Sequence, residues 1–473
     1  MACSVRFIAA LVASILLHLT FGTVYCWGNI APYVVSYMRM LGHEVDYDEM
    51  SWAVSLTTAL QAVSMLLGGG LHPKLGLHKT AALGCCVSCL GIGLSSLAIA
   101  HGKGLFLFTY AIMFGLGIGL GYIVPILVLM KWLPKNRGLA SGIVVAGFGA
   151  GAFVFNKVQE EWINPLHLMP RLEVGGQKFF DWHNPDIRLN VLDHVPSLLW
   201  TEGLIFAGMQ FLGLVMLFEP EEPALGEGGS SLDSLESNSG GRSPRKAEVV
   251  RQSQVDMNLG QMLRSRHFWL LIATVFCDAQ VVLIMAASQK TFGLELLPAV
   301  SDDTLTNLTG LASLLNGLGR IAWGTVGDLT SFRIAMAGSC TALCAMLATL
   351  PFVCVTPWRY GLWLSAIFFC IGGFFSLFPL ATSTLFGPEH MGSNYGAVFL
   401  GVAVSELISS VILQFVLGAR PVPVTCETLA VLMAISGVIA MQLRQGKPEQ
   451  AEALLAKQAE AGYGGVNRVS KIK

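Results

Sequence analysis

The chain is short of charge. Asp, Glu, Lys and Arg make up only 12% of its 473 residues, while 53% are hydrophobic. A soluble domain carries about 25% charged residues, so an ordinary water-soluble globular protein is excluded. A bias of sign is missing too. With 29 basic and 30 acidic residues and a formal net charge of −1, the chain has no electrostatic footprint for nucleic acid. Eleven cysteines are present, but no pair has zinc-ligand spacing or a secreted disulfide pattern. Cys85, Cys86 and Cys89, clustered in one apolar run, read as small packing residues. No metal and no cofactor are expected. Nucleophile constellations and nucleotide loops are lacking, and the glycines of "GLGIGLG" lie in the middle of an apolar segment, so an enzyme is not expected.

What the chain does have is long apolar runs. A bilayer span needs about 20 apolar residues. Twelve segments qualify: 5–27, 51–70, 79–100, 104–130, 138–157, 197–218, 268–290, 305–326, 333–353, 359–382, 393–416 and 424–443. The first resembles a signal peptide in having Arg6 before an apolar run. The run continues through "HLTFGTVYCWGNIAPYVVSYM" without a small-residue cleavage site, so it is read as a retained span. Two polar connections interrupt the series, 158–196 and 219–266. The second, with "EPEEPALGEGGSSLDSLESNSGGRSPRKAEVVRQSQ", has the Ser, Gly, Glu and Pro bias of a disordered tether. The expected division is therefore an N-terminal six-helix half (1–218), a cytosolic linker (219–266), a C-terminal six-helix half (267–443) and a cytosolic tail (444–473). If both termini are cytosolic, about 19 of the 29 Lys and Arg face the cytosol, as the positive-inside bias requires. Lys131, Lys135 and Arg137 in the loop between spans four and five agree, against Lys103 alone between spans three and four. A multi-pass protein of the plasma membrane, or of an organelle membrane, is expected.

The two halves repeat. Pro125, Pro134 and Gly138 at the end of span four match Pro379, Pro388 and Gly392 at the end of span ten, with spacings of nine then four and an offset of 254. Six-span halves repeated in one orientation are a transporter plan that holds substrate at mid-membrane between them. Glycines supply the packing surface. Lipid gives helices no hydrophobic drive to associate, so close van der Waals approach between small residues must do it. Gly138 and Gly142 lie four apart in span five, as do Gly147 and Gly151. In span eight Gly310, Gly317 and Gly324 recur every seven residues. These stripes are expected at helix contacts, and spans five and eight are expected to meet across the halves.

Ionisable groups inside a span cost several kcal/mol and mark functional sites by default. Four qualify: His18, Asp278, Arg320 and Glu406. At 1.5 Å per residue they lie about 12–18 Å from their span ends, near the middle of a core about 30 Å thick. Arg320 is the sharpest, because a guanidinium stays protonated and its fork fits a carboxylate. It either binds an anionic substrate or forms a static ion pair with Asp278 or Glu406. Asp278 and Glu406 either carry a proton or pair statically, and His18 is a third proton or substrate candidate. His18 shares a helical face with Tyr25 and Asn29. Tyr122, Gln280, Asn316 and Ser376 complete the set of substrate-cavity candidates.

The segment "GLGIGLGYIVPILVLMKWLPKNRGLASGIVVAGFGAGAF" resembles the span four-to-five signature of the oxalate/formate antiporter-like branch of the major facilitator superfamily, and of the related monocarboxylate transporters. "NGLGRIAWGTVGD", Asn316 to Asp328, resembles that branch's span eight and its exit. "GTVYCWG" and "MSWAVSL" resemble its spans one and two. The resemblance covers nearly all twelve spans. It implies an all-α membrane protein of twelve transmembrane helices, alternating access, and a small carboxylate substrate held by a span-eight arginine, which here is Arg320. Two departures stand out. The acidic–basic pair after span two is reduced to Pro73-Lys74, and span eleven carries Glu406 where the oxalate exchanger has a second cation. One cation suits a monocarboxylate better than a dianion. The expectation is thus a proton-coupled transporter of small monocarboxylates, the lactate, pyruvate and formate class. It would work as a monomer in the lipid bilayer, with a small organic anion and protons as its partners. The alternatives are the same fold carrying oxalate by exchange, an amino acid or a neutral solute, and a non-transporting receptor.

Overall fold

The computed structural model describes residues 2–175, 177–220, 256–297, 299–412 and 420–443. Residues 221–255 of the expected linker, the tail from 444 and the end of span eleven at 413–416 lie outside the described residues, and so do the basic residues assigned to those parts of linker and tail. Among the described residues, twelve long helices form the bundle. Span one is Ala2–Phe21, a 3-10 turn Gly22–Cys26 and Trp27–Met40. Spans two and three are Trp52–Leu75 and Leu77–Ala98. Span four begins at Lys103, passes a π-helical turn at Phe108–Met113 and runs on as Phe114–Trp132. Spans five and six are Arg137–Ile163 and Val195–Met216. The second half supplies Arg266–Leu296, Asp302–Leu329, Phe332–Val353, Pro357–Phe386, Met391–Ile412 and Val422–Gln442 as spans seven to twelve.

Eleven of these are long and apolar enough to cross a membrane. Span eight is the exception, with 28 residues but a polar face carrying Asn316, Arg320 and Asp328. Several helices outrun their expected spans. Span five continues through Lys157, Glu160 and Glu161, and span ten starts at Pro357 and ends at Phe386. Hydropathy marks where the hydrocarbon ends, whereas backbone hydrogen bonding carries a helix on into polar surroundings. The ends that hold residues 2 and 442 lie on one face, here called the termini face.

Packing repeats with a shift of six spans. Span two lies on four and span eight on ten; span three lies on six and nine on twelve; span one lies on five and six, and seven on eleven and twelve. Across the halves span five packs on eight and span eleven on two, one contact being the image of the other. The glycines of "GLGIGLG" explain the first layer. Gly115 and Gly119 face Thr57 and Ser64 of span two, while Gly117 faces Gly84 and Ser88 of span three. A side chain on any of them would strike a neighbouring helix.

Both cross-half seams are backbone against backbone at the termini face. Gly138 abuts the Gly324 carbonyl, Gly142 abuts the Arg320 carbonyl, and Gly69 abuts Gly392. Gly147 and Gly151, on the opposite side of span five, pack instead on Ile15, Leu19 and Gly22 of span one. Asp328 of span eight strengthens the first seam. Its two carboxylate oxygens accept the backbone N–H groups of Gly138 (2.8 Å) and Leu139 (2.7 Å). The first turn of a helix has no internal partner for these donors and carries partial positive charge, so a carboxylate from the other half caps it. The expected stripe on span eight is only partly a contact. Gly324 is buried in the seam, but nothing lies within 4 Å of a Cβ added at Gly310 or Gly317. The three share one helical face, yet spans five and eight diverge away from the termini face, so the stripe opens into space.

The connection between spans five and six folds back on span one. Strands β1 (Leu172–Val174) and β2 (Gln177–Phe179) form an antiparallel hairpin. Phe179 stacks on Tyr47 at 5.1 Å with the Arg39 guanidinium 4.4 Å from its ring, and Phe180 stacks on Tyr33 at 4.8 Å. The Ser36 hydroxyl accepts the Phe180 N–H at 3.0 Å.

The seam makes a definite prediction. Ser141 is fully buried and donates to the Ser376 carbonyl of span ten at 3.0 Å. In a background lacking reactive cysteines, a thiol placed there by Ser141→Cys should label slowly from the termini face. Adding Gly324→Leu should part the seam and accelerate labelling by about tenfold or more, the effect of a 1.4 kcal/mol shift in a two-state equilibrium. Unchanged labelling would show that the seam does not hold this face shut.

Candidate functional site

Because the halves meet at the termini face and splay away from it, a cavity of about 700 Å³ opens to the opposite face. Its lining includes Tyr25, Gly149, Asn316, Arg320 and Glu406, with apolar side chains from spans seven, ten and eleven. Lys157, Glu160 and Gln289, near span ends, line it too. There the charges answer one another: Lys157 lies 3.5 Å from Glu160 and 3.0 Å from Glu161, and Glu160 lies 3.1 Å from His167.

Arg320 is 2% exposed. Its Nε and one terminal nitrogen donate to the Asn316 side-chain carbonyl, each at 3.2 Å, and the other terminal nitrogen donates to the Val145 backbone carbonyl at 2.8 Å. Its guanidinium carbon lies 4.4 Å from the centre of the Phe375 ring. Gly149 stands beside it, and a Cβ there would come within 3.2 Å of the guanidinium. A guanidinium has five N–H donors, and these three bonds leave two. Among the described residues Arg320 has no ion-pair partner, so the static pair with Asp278 or Glu406 is not formed. Asn316 is fixed in turn, donating to the Phe368 carbonyl at 3.1 Å. Glu406 faces the same cavity, beside Thr58 of span two.

The remaining candidates are divided between cavity and packing. Tyr25 reaches the cavity from the 3-10 turn of span one. His18 does not. It is fully buried in a cage of Tyr122 (4.8 Å), Phe21 (5.9 Å) and Phe148 (6.3 Å), with neither ring nitrogen in a well-formed hydrogen bond. Tyr122 is part of that cage and also meets Phe399 of span eleven at 5.8 Å. Asn29 ties span one to the Asn156 carbonyl at 3.2 Å. Gln280 donates to the Ser405 carbonyl (3.3 Å) and accepts from Ser409 (2.8 Å), knitting spans seven and eleven. Ser376 donates to the Gly373 carbonyl at 2.9 Å within span ten.

Asp278 also lies outside the cavity lining. It is fully buried, accepting a hydrogen bond from Ser436 of span twelve at 2.6 Å and a weak one from Cys340 of span nine at 3.8 Å. The first half has the counterpart knot. Gln210 of span six donates to Thr20 of span one at 2.8 Å and accepts from Ser88 and Cys89 of span three at 3.3 and 3.0 Å. The same three-helix junction is thus tied once around a carboxyl and once around a neutral amide, which fits a structural role for Asp278. Sequence reasoning also missed Glu202, 4% exposed and held by Gln159 at 2.9 Å. It sits close to the start of its span, where an acidic residue reads as an interfacial one. Gly149 and Phe375 were missed as well, since neither glycine nor phenylalanine is unusual in a span.

Asp278→Asn should therefore keep its acceptor oxygen and leave both thermal stability and uptake near those of the parent. Asp278→Leu should leave Ser436 and Cys340 without their acceptor and lower stability by roughly 1–3 kcal/mol, the cost of a buried unsatisfied group. A melting curve in detergent beside a flux assay checks both. Loss of flux in Asp278→Asn at unchanged stability would assign Asp278 to the transport cycle instead.

Comparison with known proteins agrees with this geometry. A sequence model of the Major Facilitator Superfamily matches residues 12–156 and 194–410. The chain is 26% identical over 441 residues to the apicoplast pyruvate carrier 1 of Toxoplasma gondii, covering 83% of this chain and 80% of that protein. It is 25% identical over 278 residues to the oxalate:formate antiporter of Oxalobacter formigenes, covering 59% of this chain and 54% of that one. In fold it is similar to the transporter FucP in its outward conformation, with a TM-score of 0.65 at 15% identity over 93% of this chain and 100% of that one. The sequence model spans well over half of the residues, and the chain belongs to the major facilitator superfamily, a family of membrane transporters and not of enzymes.

Proposed function

We propose that the protein carries small monocarboxylates of the lactate, pyruvate and formate class by alternating access, together with a proton. One observation carries the reading: a buried arginine at the cavity has two uncommitted donors and no acidic partner among the described residues. A carboxylate is the group that two guanidinium donors recognise best. Asn316 and the Val145 carbonyl hold the guanidinium still, so little orientation is lost on binding. The relatives named for pyruvate and for oxalate:formate exchange support a carboxylate. A dianion is the less favoured choice, because Arg320 is the one cation among the residues that line the inner part of the cavity.

Glu406 is the proposed proton site. Its carboxyl faces the cavity beside Thr58 of span two, so its charge state bears on the neighbouring span two–span eleven seam. His18 stands behind Tyr122 and Phe148, outside the lining. The halves, 1–218 and 267–443, are proposed to rock about the two seams, with the termini face cytosolic and a single chain sufficient. The basic residues Lys131, Lys135 and Arg137 on that face support the orientation.

In proteoliposomes, labelled pyruvate should accumulate under an imposed pH gradient. Arg320→Ala should reduce uptake about 10- to 100-fold, the worth of a charged hydrogen bond, and Arg320→Lys should recover only part. Glu406→Gln should abolish the response to the gradient yet still exchange labelled for unlabelled substrate. Normal uptake by correctly inserted Arg320→Ala would refute the assignment.

A further inference from the structure

The cavity is uneven in chemistry. Arg320, Asn316, Glu406 and Tyr25 offer polar groups. Beside them Val282 and Leu283 of span seven, Ile371, Phe375 and Phe378 of span ten and Val402 of span eleven form an apolar wall. All six belong to the second half. Span five contributes Gly149 and Ala152 together with Phe153 and Val154, and at Gly149, beside the Arg320 guanidinium, the absence of a side chain leaves room in front of the wall. The Phe375 ring stacks on the Arg320 guanidinium, so the wall begins at the carboxylate-binding group itself.

A two- or three-carbon acid seated on Arg320 would leave most of this wall facing water. A volume of about 700 Å³ lies within the roughly 300–1,000 Å³ of pockets that bury much larger ligands. We infer that the apolar wall of spans seven, ten and eleven is a subsite for the body of the substrate, and that the preferred cargo is an amphipathic monocarboxylate with a branched or aromatic side chain. This rests on the carboxylate reading of Arg320. The charged end is held by the guanidinium while the side chain lies along Ile371 and Phe378 in the room left by Gly149. A polar-bodied acid such as a sugar acid or a dicarboxylate gains nothing from that wall and leaves its own hydroxyls or second charge without partners. Closure of the halves would press the wall onto the side chain and expel the water between them.

The test is a homologous series of 2-oxo acids competing with labelled pyruvate in proteoliposomes, beside direct uptake of labelled 4-methyl-2-oxopentanoate. Burying one methylene is worth about a fourfold gain in affinity. Apparent affinity should rise by about that factor at each step from pyruvate through 2-oxobutanoate to 2-oxopentanoate. Labelled 4-methyl-2-oxopentanoate should itself accumulate, and Phe378→Ala should flatten the slope of affinity against chain length. Pyruvate uptake with flat or falling affinity along the series would overturn the subsite and leave the carboxylate reading standing. Equal competition by 4-methyl-2-oxopentanamide, which lacks the charge, would keep the subsite and overturn the role of Arg320. Absence of both uptake and competition for every acid in the series would overturn both.

Discussion

The contact of span five on span eight determines the rest of the structure. Two helices from different halves meet there without side chains between them, Gly138 against the Gly324 carbonyl and Gly142 against that of Arg320. Asp328 then supplies the hydrogen-bond acceptors that the first turn of span five lacks. With this seam and its image between spans two and eleven shut, the halves must diverge toward the other face, and the divergence is the cavity. The same contact places the Arg320 backbone against span five, so its side chain is carried between the halves and not out to lipid.

Arg320 shows how a charge is kept in such a place. Its N–H groups are met by a side-chain amide oxygen and a backbone carbonyl, both neutral, and its flat face by an aromatic ring. Neutral acceptors offset part of the lost hydration and leave the charge itself unneutralised. A carboxylate partner would have satisfied the arginine permanently and closed the site to an anion. Of the two carboxyls expected as partners, Asp278 lies in the junction of spans seven, nine and twelve and Glu406 beside Thr58 of span two.

Much of this was legible in the sequence. Twelve spans and their pairing into halves follow from length, apolarity and the Pro–Pro–Gly repeat, all of which are local. Arg320 could be singled out because arginine is so costly at mid-membrane that its presence alone is informative. Azimuth was harder. Asp278 and Glu406 lie at similar depth, and only the packed bundle tells that one faces a helix junction and the other a cavity. Phenylalanine at 375 or 378 suits lipid, core or cavity equally well, so the apolar wall had no signature. The Gly310–Gly317–Gly324 stripe has one periodicity along its length, but the neighbouring helix follows it for only one third of the way.

A seam of bare backbone has nothing in it to titrate, oxidise or modify. Its strength is set by geometry and is the same in every ionic medium. The adjustable part stands at its edge, where a carboxylate meets the positive end of a helix in an attraction that dissolved salt screens. At this seam the adjustable element is therefore one half-exposed aspartate and the ions around it, while the glycines beside it decide only that the two helices can meet at all.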